Sequence, residues 1–143
     1  MMVGMISTES AVALRDAGLV WHPASGDRFQ LDEPEFEADV FTVSDMTIEP
    51  RDYPTGKILA FNGTTEWALD SVALEDALWL PHESQLRELL RGAFRSLRRL
   101  ADTHEVEIVL RRAQEPEERF VFTHPEPADA YALAVLELLR RIA

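Results

Sequence analysis

The chain has no cysteine, which excludes disulfides, thiolate metal ligands and a cysteine nucleophile together. It has one lysine, Lys57, so thirteen of its fourteen basic residues are arginine. Basic residues are scarce altogether: 14 stand against 26 Asp+Glu, a formal net charge of −12. That balance disfavours sequence-independent binding to phosphate backbones, and no nucleic-acid partner is expected. Long hydrophobic runs are missing too. None reaches the roughly 18 residues that would span a bilayer. The opening stretch, MMVGMISTES, lacks the basic segment and long apolar run of a secretory signal. The expectation is a cytoplasmic protein without membrane association. Internal repeats and low-complexity tracts are also absent.

With 143 residues, 46% hydrophobic and 28% charged, the chain has the make-up of an ordinary soluble globular protein. Its length suits a single domain over residues 1–143 that buries a core unaided. Charge is spread unevenly. Residues 27–52 hold nine acids against Arg28 and Arg51, whereas 87–112 hold seven arginines against Glu88, Asp102, Glu105 and Glu107.

The pattern predicts an α+β fold: antiparallel hairpins packed with an N-terminal helix, a long amphipathic middle helix and a C-terminal helix. The first helix is expected over about 7–17, capped by Ser7 or Thr8 and stopped by Gly18, with Ile6, Ala13, Leu14 and Ala17 apolar. A hairpin is expected from 19–22 and 28–31 around PASGD. Strands follow near 40–43 and 57–61, joined by EPRDYPTG. ALWLP returns the chain through the core, and a helix runs over about 83–100. VEIVL and RFVFT alternate as a hairpin with Val106, Ile108, Leu110, Phe120 and Phe122 inward. The last helix begins near Pro127, a residue tolerated in a first turn.

Motifs for chemistry are few. His22, His82, His104 and His124 are far apart and form no HExxH pair, so no metal ligation is expected. PASGD lacks the glycine spacing and following helix of a nucleophile elbow. With 26 acids, chance pairs are inevitable and carboxylate spacing identifies no general acid or base. YPTGKIL contains the TGK of a phosphate loop, but Arg51 stands where the first Gly belongs, Ile58 replaces the hydroxyl and a strand follows. No nucleotide, cofactor or metal is expected, and catalytic residues are expected to be none.

The busiest cluster is FNGTTEWALDSV, residues 61–72. Asn62-Gly63 suits a turn, Thr64 or Thr65 a cap for a short helix to about Ser71, and Glu66 the positive end of that helix. Trp67 and Leu69 offer buried area. These local roles account for every residue. A ligand site would need Asn62, Glu66 and Trp67 to face a cleft, together with Trp21 and His22, where another indole adjoins a polar group.

Two features point to interaction. Leu86, Leu89, Leu90, Ala93, Phe94, Leu97 and Leu100 recur at helical spacing, with Arg87, Arg91, Arg95 and Arg98 as a second stripe on a different face. In so acidic a chain, that stripe could meet an acidic surface such as DEPEFEAD (32–39) of the same chain or of a second copy. On the last helix, Asp129, Glu137, Arg140 and Arg141 cluster on one side at about 100° per residue. Tyr131, Ala134, Val135, Leu138, Leu139 and Ile142 lie opposite them, while Leu133 and Leu136 project into the charged sector. Either another segment of the chain or a twofold-related copy would cover those two leucines.

ALRDAGLVWHPASGDRF, FTVSDMTIE, FNGTTEWALDSV and ALWLPHESQLRELL carry a resemblance, over nearly the full length, to a group of short uncharacterised actinobacterial proteins. The WLP-x-x-x-QL element, Trp79-Leu80-Pro81 with Gln85-Leu86, is also similar to one in small proteins of Firmicutes and their phages. Some members of the group are described as pilus assembly proteins. The pilus ATPase so described has a P-loop domain, which this short chain lacks. The resemblance brings no catalytic residue with it. The expectation is therefore a small cytoplasmic, non-catalytic binding or interaction module that self-associates as a homodimer. The alternative is a small-ligand-binding protein or enzyme with a cleft near Trp21, His22, Glu66 and Trp67.

Overall fold

A computed structural model describes residues 4–31, 39–43, 48–53, 56–61, 71–73 and 76–142. For residues 48–53, 56–61 and 71–73 only the backbone is described. The fold is α+β, with helices and three small antiparallel sheets among the described residues. No helix among the described residues is long and apolar enough to cross a membrane. Where the sequence predicts a single domain over 1–143, contacts gather into two compact units: Met1–Val20 with Pro81–Ala143, and Trp21–Leu80.

The second of these, the unit of residues 21–80, has strands β1 (Arg28–Leu31), β2 (Phe41–Thr42), β3 (Ile48–Tyr53), β4 (Gly56–Phe61), β5 (Ser71–Ala73) and β6 (Ala77–Leu80). β1 is central in the order β2-β1-β6. It aligns Phe29 with Phe41 on one side and with Trp79 on the other. Phe29, Gln30 and Leu31 are all buried, as expected of a middle strand covered on both faces. The Phe29 ring lies tilted against Trp21 with centroids 5.4 Å apart, and stacks on Phe41 at 5.6 Å. Leu31, Val43, Ala77 and part of Trp79 complete this core.

The expected hairpin of 19–22 with 28–31 does not form. A turn does occur at Ser25-Gly26, and Gly26 adopts the left-handed φ of 92°. Residues 19–22, however, are not a strand, and β1 takes its partners from β2 and β6 instead. A turn sequence supplies a reversal but not a partner. The second sheet has the order β3-β4-β5. Part of EPRDYPTG, expected as a connection, is strand β3 aligned with β4 from Ile48↔Phe61 to Tyr53↔Gly56. Pro50 is tolerated there because, among the described residues, β3 stands at the end of its sheet, the position in which strands accept proline.

In the other unit, α1 (Thr8–Asp16) starts at Ser7, whose Oγ accepts from Ser10 N at 3.1 Å. It ends at Gly18, where the Leu19 N–H reaches back to Leu14 O. α2 (Glu83–Leu90) is set by Gln85, whose side-chain oxygen accepts from His82 N at 2.8 Å. A short 3-10 turn (Arg91–Ala93) then leads into β7 (Phe94–Leu100), β8 (Thr103–Leu110) and β9 (Glu118–His124), and α3 (Pro127–Ile142) follows. The three strands form a meander in that order.

The long middle helix is therefore corrected: 83–90 is helix and 94–100 is strand. Arg91 leaves the helix at φ 48°, ψ −127°, a conformation that ends a right-handed helix. β7 is then held by pairing with β8, from Phe94↔Ile108 to Leu100↔Thr103, with an irregularity between Phe94 and Ser96. The second expected hairpin forms as β8–β9, with Val106↔Phe122 and Ile108↔Phe120. Val106 and Ile108 are fully buried. α3 packs on β8 and β9 and also against α1 and α2. Accordingly, every residue from Ala128 to Leu136 except Leu133 is buried.

Candidate functional site

Trp21 belongs to a hydrophobic core with Phe29, Leu31, Val43 and Ala77. Only 8% of Trp21 is exposed, and its indole N–H donates to Asp27 Oδ2 at 2.9 Å. The same oxygen accepts from Ala24 N at 3.0 Å, so buried Asp27 both pairs the indole and closes the loop. His22 is exposed. Asn62, Glu66 and Trp67 lie outside the described residues. Among the described residues, Trp21 is joined to Asp27 and Phe29.

The arginines do not share a helix face. Arg87, on α2, lays its guanidinium 4.3 Å from the centre of the Phe94 ring. Arg91 follows that helix, and Arg95 and Arg98 lie on β7. Arg95 Nη1 donates to Gly92 O and Phe94 O at 2.6 and 3.1 Å. Arg98 reaches Glu105 at 4.0 Å. Arg91 and Arg99 have no carboxylate partner among the described residues. What replaces the stripe is a basic sheet edge. Among the described residues β7 has a strand on one side only, and Arg95, Leu97, Arg98 and Arg99 are exposed along it. Leu97 is 39% exposed, because α3 covers β8 and β9 more than this edge. The helical spacing missed Arg99; the adjacent Arg98-Arg99 pair was its only signal.

Leu136 is corrected as an interface candidate: it is 8% exposed within its own chain, and Leu133 is half-buried. Asp129, one of the four charged residues clustered on one side of α3, is 3% exposed. Its carboxylate serves α1. Asp129 Oδ1 accepts from Ser7 N at 3.0 Å and from Ser7 Oγ at 2.8 Å, while Oδ2 lies 3.8 Å from His124 Nδ1.

Around that carboxylate is a polar junction that sequence reasoning missed. His124 Nδ1 accepts from Glu126 N at 2.9 Å, and Glu126 Oε2 accepts from Gly4 N at 3.3 Å. His104 is the cross-strand neighbour of His124, and its Nδ1 lies 2.9 Å from Pro125 O. Burial, together with repulsion from Glu126, raises the Glu83 carboxyl above its ordinary value, with His104 partly offsetting this. Burial raises the Tyr131 phenol, against Arg87, and Glu83 adds to the rise. Ser, His and Asp are the residue types of a hydrolase triad, but the connections are wrong for one. Ser7 Oγ donates to the carboxylate, not to the imidazole, and its acceptor capacity is spent on capping α1. The junction clamps α1 to α3. Its members come from distant stretches, so no local spacing could reveal it.

A shallow cleft of about 170 Å³ lies between the β8–β9 turn and the end of α3, lined by Leu110, Arg112, Pro116, Leu138 and Ile142 among others. It is smaller than the roughly 300 Å³ at which small-molecule pockets begin. No group of three or more His, Asp or Glu among the described residues could hold a metal ion. In comparisons with protein-family models, curated proteins and solved structures, none matches this chain.

Proposed function

We propose that the chain is a non-catalytic cytoplasmic binding module that works as a homodimer, of the same kind as the short actinobacterial proteins it resembles. One observation carries this reading. β7 offers an edge with no strand beyond it among the described residues, bearing exposed Arg95, Leu97, Arg98 and Arg99, in a chain of net charge −12. Open edges are usually shortened, covered or protected, because their unpaired N–H and C=O groups recruit other chains. At seven residues, this one is long enough to serve as a docking rail. Charge on such an edge both prevents indiscriminate pairing and chooses a partner. Sedimentation velocity across about 1–100 μM, a range that brackets micromolar association, tests the reading. A concentration-dependent dimer is expected, and a monomer throughout overturns it.

A further inference from the structure

We infer that the β7 edge receives, as a fourth strand of its sheet, an extended acidic segment of a different protein. This rests on β7 being the docking edge described above, and not on the homodimer. Residues of an antiparallel strand alternate in the direction their backbone groups face, so every second residue of β7 turns its N–H and C=O away from β8. Among the described residues no other strand takes them up. An extended guest pairing with β7 satisfies those groups, and its side chains then decide which guest is chosen.

The charge of the edge makes that choice. Residues 91–100 hold four arginines and no acid, in a chain whose net charge is −12. Arg91, Arg95, Arg98 and Arg99 are all exposed. On the β8 side the strand already pairs with an acid: Arg98 faces Glu105, 4.0 Å away. Arg99 faces His104 and has no carboxylate partner among the described residues. Opposite charges across a ladder stabilise it and like charges destabilise it. A guest rich in arginine, β7 of a second copy included, is therefore disfavoured, and an acidic one is selected.

Register sets the pattern of the guest. Leu97 and Arg99 share a face with Val106 and His104, whereas Arg98 shares the other with Glu105. A matching guest presents acids opposite Arg99 and Arg98 and an apolar residue opposite Leu97, which is exposed. Single-stranded nucleic acid fits less well, because such sites stack bases on free aromatic rings. Phe94, the aromatic residue of β7, is already engaged by Arg87 at 4.3 Å and Tyr131 at 5.9 Å.

The probe is a fluorescein-labelled peptide of repeating glutamate–glutamate–valine, about nine residues long, titrated with the full chain and read by fluorescence anisotropy. Binding at about 10–100 μM is expected. A lysine–lysine–valine peptide should bind about tenfold more weakly or worse. So should glutamate–glutamate–proline, which keeps the charge but cannot complete a ladder. Arg99→Glu should weaken the glutamate–valine peptide about tenfold, since it replaces attraction by repulsion. Far-UV circular dichroism checks that the variant is folded; if it is not, Arg99→Ala replaces it, with about threefold weakening expected. Equal binding of either control peptide, a folded variant that binds as wild type does, or tighter binding of an oligothymidylate of similar length overturns the inference. Sedimentation velocity judges the homodimer separately. A wild-type dimer that binds no peptide leaves the dimer standing and removes the acidic guest, whereas a monomer that binds the acidic peptide does the reverse.

Discussion

Asp129→Ala should be the most damaging single change in the unit that holds α1 and α3. The wild-type carboxylate is 3% exposed and accepts two hydrogen bonds from Ser7, at 3.0 and 2.8 Å. A hydrogen bond to a charged group contributes about 1.5–3 kcal/mol. Ser7 itself is exposed, so water can replace part of what it loses, and the cost falls to about 2–4 kcal/mol. Asp129→Asn keeps an acceptor without the charge and should cost about half as much. Ser7→Ala removes both the donor to Asp129 and the cap acceptor for Ser10 N, at about 1–2 kcal/mol. The two residues touch, so the double mutant should cost about 1 kcal/mol less than the sum of the single changes. Urea unfolding followed by far-UV circular dichroism reads these values, since it follows the helices. Tryptophan emission makes the control: Trp21, Trp67 and Trp79 all fall within residues 21–80, the other unit. A loss below about 0.5 kcal/mol for Asp129→Ala, or perfectly additive mutants, would refute the clamp.

Asp27→Ala should strand the buried Trp21 indole N–H and open the loop at Ala24, costing about 2–3 kcal/mol by urea unfolding followed through tryptophan emission. Leu136→Ala should cost about 2–4 kcal/mol as a core cavity, and Leu136→Glu should give an unfolded chain instead of a folded monomer. A folded monomeric Leu136→Glu in scattering and dichroism would contradict the burial described. For Glu83 the sign follows from its raised carboxyl. The folded state favours the protonated form, so the ionised side chain costs stability once pH rises above the ordinary carboxylate value. Glu83→Gln should thus gain on wild type at neutral pH, and the gap should close as pH falls below that value. Paired melting curves across pH check this, and a gap that widens in acid runs against it.

What the sequence predicted well was local. Ser7 as cap, Gly18 as stop, Pro127 as helix start and the alternation of VEIVL with RFVFT all depend on neighbours in the chain. What it predicted badly was non-local. FRSLRRL contains no β-branched residue, and Phe94, Leu97 and Leu100 fit a helical stripe as readily as a strand. Only Arg91 leaving the helix and the ladder with β8 decide the matter. For the same reason β1 ignored its near neighbour and paired with Trp79 fifty residues on. On α3, helical angle groups Asp129 with Glu137, Arg140 and Arg141, but it does not show that α1 and α2 pack on that helix too. Of the candidate sites, the sequence pairs Trp21 with the adjacent His22, whereas the indole bonds to Asp27, six residues on. The arginines were legible as a charged group, and their edge geometry was not.

The bond between Ser7 and Asp129 joins residues 122 apart in sequence, and the intervening chain includes the whole of residues 21–80, a compact unit in itself. During synthesis α1 therefore emerges long before its anchor exists. At about 5–20 residues per second, the delay is roughly 6–24 s. In that interval residues 21–80 can complete their core, whereas Ile6, Ala11 and Leu14 of the N-terminal segment, all buried in the finished protein, have no α3 to cover them. A nascent chain stalled before Asp129 should hence be open to proteolysis within 4–20 and protected within 21–31. Extension through 142 should close the first segment in a single step.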